Sequence, residues 1–101
     1  MRIIVMFNLK PGVDQGAYEQ WAKSTDIPGV RALSSVADFQ VYRANGVLGT
    51  AANAPFAYFE TIDITDMGAF GVDVASEAVQ KVAAEFQQFA DNPQFVLTEA
   101  L

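Results

Sequence analysis

Glu60 stands in the run Phe56-Ala57-Tyr58-Phe59-Glu60-Thr61-Ile62-Asp63-Ile64, two residues after a phenol and two before an isoleucine. If the run is a strand, alternation puts Tyr58, Glu60 and Ile62 on one face. A carboxyl among large apolar neighbours loses hydration, which raises its pKa, whereas Arg2 or Arg43 nearby would oppose that rise. Held near neutrality, with Asn8, Gln40 and Tyr42 projecting from neighbouring strands, it suits proton transfer on an aromatic or polyketide-like small molecule. Glu60 is the candidate catalytic residue, and Asn8, Gln40, Tyr42 and Tyr58 are candidate substrate contacts. The plainer alternative makes Glu60 a solvated strand residue or an ion-pair partner, and the tyrosines packing aromatics. Asp26, just before Ile27-Pro28, either satisfies turn amides or meets a ligand at the cavity rim.

Other chemistry is sparse. Asp63-Ile64-Thr65-Asp66 offers oxygens to a hard cation, but carboxylates at a strand end also cap the next helix, and no metal site is expected. No glycine-rich phosphate loop occurs. Trp21 fits a helix core better than a stacking platform. The chain has no cysteine and no histidine, which excludes disulfides, thiolate metal sites, cysteine nucleophiles and imidazole-based triads. No cofactor is expected. Twelve acidic against six basic side chains give a net charge of -6 without any basic run, so nucleic acid is not an expected partner.

The elements that must position these residues follow from periodicity. The 101 residues form a single domain, residues 1-101, and 51% are hydrophobic, enough to bury a core. Arg2 to Leu9 reads as a strand ended by Lys10-Pro11-Gly12. Asp14 caps a helix to about Ser24, with Tyr18, Trp21, Ala22 and Thr25 on one stripe, and Pro28-Gly29 is expected to stop it. Val36 to Ala44 is a second strand, with Ala37, Phe39 and Val41 on one face and Asp38, Gln40 and Tyr42 on the other. A small-residue loop runs to Pro55, and Phe56 to Ile64 is the third strand. Thr65 or Asp66 caps a short helical piece through Phe70. Val79, Val82, Ala83 and Phe86 then mark a helix from Ser76, ended by Asp91-Asn92-Pro93 before a fourth strand from Gln94 to Ala100.

This order, βαββαβ, predicts an α+β ferredoxin-like fold: a four-stranded antiparallel sheet with helices on one face. On this reading Ile3, Val5, Phe7 and Leu9, with Ala57 and Phe59, lie under the helices. Ile4, Met6, Phe56, Tyr58, Glu60 and Ile62 are then on the open face. Such a face is too apolar for a monomer, so a homodimer is expected in which two sheets close a barrel around a cavity containing Glu60. The five apolar residues Ile3 to Phe7 are too few for a signal-peptide core or a membrane span, so a cytoplasmic protein without membrane contact is expected.

LKPGVD (9-14), YEQW (18-21), TDIPGVR (25-31), FQVYR (39-43), DMGAF (66-70) and AAEFQQFADNP (83-93) resemble the REDY-like family, which includes HapK of prodigiosin-type pigment clusters. The resemblance covers almost the whole chain and implies the dimeric α+β barrel. It also implies a role in secondary metabolism, on or near pyrrole or indole intermediates. Other dimeric α+β barrels include cofactor-independent monooxygenases, haem-degrading enzymes and muconolactone isomerase-like proteins, so the fold fixes no chemistry. EthD-like barrels often carry histidine near the first helix, where this chain has Asp26, and haem ligation is therefore not implied. Two functions remain open: a small cofactor-independent enzyme, or an accessory dimer that binds an aromatic intermediate without transforming it.

Overall fold

A computed structural model describes all 101 residues. The elements are β1 (Arg2–Leu9), α1 (Gln15–Trp21), a π-helical turn (Ala22–Asp26), α2 (Ile27–Arg31), β2 (Val36–Arg43), β3 (Tyr58–Ile64), α3 (Met67–Val74), α4 (Glu77–Phe89) and β4 (Ala90–Leu97). The strands form one antiparallel sheet in the order β2-β3-β1-β4, the ferredoxin-like arrangement expected. Local caps start the helices as anticipated. Asp14 Oδ2 accepts from the Ala17 amide at 2.9 Å, and Asp66 Oδ2 accepts from that of Ala69 at 2.8 Å. Ser76 Oγ accepts from Val79 at 3.4 Å. Each satisfies a backbone donor that the first helical turn leaves free. Gly12, at a φ of +83°, supplies the left-handed residue of the turn after β1.

Three expectations fail. Pro28-Gly29 does not stop the first helix, which runs on through α2. The π-helical turn ahead of it is wider than an α-helical one, with the Ile27 amide reaching back to Ala22 O, and Pro28 enters the first turn of α2. Asp91-Asn92-Pro93 does not separate α4 from the last strand either, because β4 starts at Ala90 and contains all three. An edge strand tolerates a proline, and Asn92 at a φ of 46° accompanies a register shift opposite Met6 to Asn8.

The third failure concerns faces. Val5 pairs with Glu60, Ile3 with Ile62 and Phe7 with Tyr58, so the inward residues of β3 are Tyr58, Glu60, Ile62 and Ile64. Glu60, Tyr58 and Ile62 therefore lie under the helices, and Phe59 and Thr61 face the open side, the reverse of the expected phase. β1 keeps its expected faces: Ile3, Val5 and Phe7 are buried, while Ile4 and Met6 are half-buried on the open side.

The core sits between the sheet and the helices and gathers aromatics at one end. Phe7 is fully buried and meets Phe86 edge-on at 5.0 Å, Tyr18 edge-on at 5.7 Å and Tyr58 in a stack at 5.5 Å. Trp21 packs on Phe89 and Phe86, a helix-core residue as read from its spacing. Because Phe7 touches α1, α4 and β3 at once, Phe7→Ala is expected to lower stability by roughly 3–5 kcal/mol. Denaturant unfolding of the two proteins checks this, and a loss under about 1 kcal/mol would contradict the packing described.

Candidate functional site

The helix-covered side of the sheet encloses a cavity of about 180 Å3. Its sheet wall is Phe39, Glu60, Ile62 and Phe95, and α2 and the loop after it contribute Val30 and Leu33. Phe70 and Val74 come from α3; Val79, Gln80, Val82, Ala83 and Phe86 come from α4. Asp26 completes the lining from the π-helical turn. Phe95 is 53% exposed, so the cavity reaches the surface beside the β4 edge.

Two carboxyls thus stand in a wall that is apolar apart from Gln80. Glu60 is 4% exposed and Asp26 5% exposed. Glu60 Oε2 is buried and has no hydrogen-bond partner, and the Asp26 side chain does not cap the helix that follows it. Burial is the dominant cause pushing the Glu60 carboxyl well above the ordinary carboxylate range, and the neighbouring charge of Asp26 adds to it. Asp26 is pushed up to about 7 by burial alone. The cations named as possible opponents of this shift are engaged elsewhere: Arg2 pairs with Asp63 at 2.7 Å and Arg43 with Glu19 at 2.7 Å. Desolvation therefore wins. A pair of acids poised to hold or give up a proton inside an apolar chamber is equipped for general acid–base work.

Of the residues selected from sequence, the fold brings Glu60 and Asp26 together. The expected inter-sheet position of Glu60 is wrong; its cavity lies on the other side of the sheet, within one chain. Tyr58 shares the inward face but does not line the cavity. Its hydroxyl donates to Glu19 Oε2 at 2.7 Å and its ring stacks on Phe7, the packing role weighed against a substrate contact. Asn8, Gln40 and Tyr42 are not joined to Glu60. Gln40 pairs with Thr61 and Tyr42 with Phe59, both on the open face. The side chain of Gln40 is held by Arg31 and Asp38, and Asn8 Oδ1 accepts from the Ala57 amide at 2.9 Å. Asp63 and Asp66 serve an ion pair and a helix cap, and no cluster of three acidic side chains suited to a metal ion is present.

Sequence reasoning missed Tyr18 as a polar group. Its hydroxyl is buried without a partner, and burial, reinforced by the charges of Glu60 and Asp26, pushes its pKa upward. Nothing in its helical spacing separates it from an ordinary core aromatic. The lining residues of α4 were legible only as a hydrophobic stripe.

A family model described as REDY-like protein HapK matches residues 1–101. The chain belongs to the REDY-like HapK family. The crystal structure of HapK from Hahella chejuensis is similar, with 28% identity, a TM-score of 0.75, and coverage of 100% of this chain and 95% of that one. SnoaB, a cofactor-independent oxygenase from Streptomyces nogalater, has a TM-score of 0.74 at 11% identity, covering 99% of this chain and 93% of its own. A dimeric ferredoxin-like protein from Thermobifida fusca has a TM-score of 0.69 at 17% identity, covering 94% of this chain and 85% of its own. These two likenesses establish the fold alone. A search of curated proteins found no match. In this REDY-like chain no helix is long and apolar enough to cross a membrane.

The buried acids of this REDY-like protein give it a distinctive pH response. Asp26 is raised in the folded state to about 7, so its contribution to stability is full below the unfolded value near 4 and is lost as pH climbs through about 7. Glu60 acts in the same sense. Glu19 acts oppositely: the Tyr58 hydroxyl first, then Gln15 and Arg43, hold it down to about 2, so its contribution is present above about pH 4 and lost in stronger acid. Stability is expected to peak near pH 4–5 and decline toward pH 7, by roughly 4 kcal/mol at most from Asp26. Asp26→Asn should flatten that decline in thermal melts, and a wild-type stability that rises from pH 5 to 7 would contradict the burial of both acids.

Proposed function

We propose that this chain is a small cofactor-independent enzyme of secondary metabolism that holds an aromatic, pyrrole- or indole-like intermediate in the cavity between its sheet and helices. Asp26 and Glu60 move protons on that intermediate. The observation that carries this reading is the unpartnered Glu60 carboxyl oxygen, buried beside a second acid in an apolar chamber. Asp26, near neutrality, takes a proton from one ligand atom as carboxylate; Glu60, protonated, delivers one to another. The ligand leaves as a tautomer and the two carboxyls exchange protonation states, reset through solvent at the cavity mouth. No electrons are transferred and no co-reactant is consumed. Membership of the REDY-like family supports the pathway role, and the aromatic walls Phe39, Phe70, Phe86 and Phe95 support a flat ligand.

The test is exchange of ligand hydrogens with heavy water, followed by NMR on indole and pyrrole derivatives mixed with purified protein. Glu60→Gln should slow exchange about 10²- to 10⁴-fold, far more than it weakens ligand binding. An unchanged rate would reject Glu60 as the proton carrier. Saturable binding by the wild type with no exchange would make the protein an accessory binder.

We infer further that the chain is a homodimer. The open face presents Ile4, Met6 and Phe59, half-buried, with Tyr42 and Val96 at 51% and 41% exposed, an apolar field unusual on a monomer. Its membership differs from the face expected from sequence, yet it remains apolar. Phe59→Arg should convert a dimer into monomers in sedimentation experiments without unfolding the chain. A wild type that sediments as a monomer at micromolar concentration would overturn the inference.

A further inference from the structure

The cavity contains two carboxyl side chains and no cationic one. Its only polar side chains are Asp26, Glu60 and the neutral Gln80. All six lysines and arginines are exposed. Arg2 and Arg43 are paired with Asp63 and Glu19, and Arg31 donates to Phe39 O at 2.9 Å and to Gln40 Oε1 at 3.1 Å. Around the two acids, α1 offers only the phenol of Tyr18, and β1 and β2 place Val5 and Val41 on either side of Glu60. No fold element supplies a counter-charge.

The geometry points to a cationic ligand: an aromatic body carrying a protonated nitrogen, whose N–H groups donate to Glu60 and Asp26. This deepens the proposed function and rests on its cavity. Glu60 Oε2, 96% of whose residue is buried, already lacks a donor, and a ligand that displaced the remaining solvent without supplying one would leave it so. A neutral acceptor would leave Asp26 either charged and unpaired or obliged to take up a proton, and an anion would meet a like charge there. A cation supplies the missing counter-charge to Asp26 and an N–H donor to Glu60. Phe86 and Phe95, edge to face at 6.5 Å, line the same space and attract positive charge through their ring faces. Once a cation is seated beside it, Asp26 ionises while Glu60 keeps its proton, so binding releases a proton.

Three probes of matched size separate the possibilities: 2-phenylethylamine, cationic; 2-phenylethanol, neutral; and 3-phenylpropanoate, anionic. Trp21, the sole tryptophan, stacks on Phe86 at 6.4 Å and reports binding by its emission. Calorimetry in buffers of different ionisation enthalpy counts the protons. The amine is expected to bind at least about tenfold tighter than the alcohol at pH 8, with the acid weakest. Amine affinity should rise about tenfold from pH 5.5 to 8 with release of a proton, and Asp26→Asn should remove that rise. Glu60→Gln should reduce the amine's advantage over the alcohol. Equal or tighter binding of the alcohol at pH 8 would overturn the charge preference while leaving the cavity a ligand site. Binding of none of the three would overturn both readings.

Discussion

Everything in this fold turns on the pairing of Glu60 with Val5 on one side and Val41 on the other. Those two pairings put a carboxyl on the inward face of the two central strands, where helices rather than water cover it. Had β3 slipped by one residue, Phe59 and Thr61 would line the cavity and the acid would be solvated. The register is secured by what flanks the carboxyl. Tyr58 and Ile62 are both buried, and their burial outweighs the cost of taking one carboxyl out of water, provided it stays neutral.

The same balance explains what was legible in the sequence and what was not. β1 reads plainly because its inward residues Ile3, Val5 and Phe7 are all apolar. β3 carries large apolar side chains on both phases, with Phe59 on one and Tyr58, Ile62 and Ile64 on the other. The outward phase also carries Thr61 and Asp63, so polarity over the whole strand favours the observed faces, and the reversed assignment comes from giving Phe59 to the core. That error carried Glu60 into an inter-sheet chamber and grouped it with Asn8, Gln40 and Tyr42. Glu60 does line a cavity, but with neighbours other than those expected. Asp26 emerged from the sequence only as a turn-former with a ligand role in balance, because its burial depends on helical geometry that composition does not announce.

Division of labour between the two faces follows. The inward face carries Glu60, with Asp26 in the helical layer over it, and the outward face carries Ile4, Met6 and Phe59. A cavity completed within one chain and an apolar surface behind it are separable features of a single sheet, since alternate side chains serve each. The Glu19 network of Tyr58, Gln15 and Arg43 closes one end of the aromatic cluster and anchors α1 to β2 and β3.

The π-helical turn at Ala22–Asp26 gives the acid pair an unusual genetic vulnerability. A turn holding a surplus residue is a feature of chain length rather than of any particular side chain. Deleting one residue there would let the helix relax to ordinary winding, the flanking turns keeping their phase while the residues between them change face. Divergent homologues could therefore gain or lose the second carboxyl in a single indel, with every aromatic of the chamber left intact.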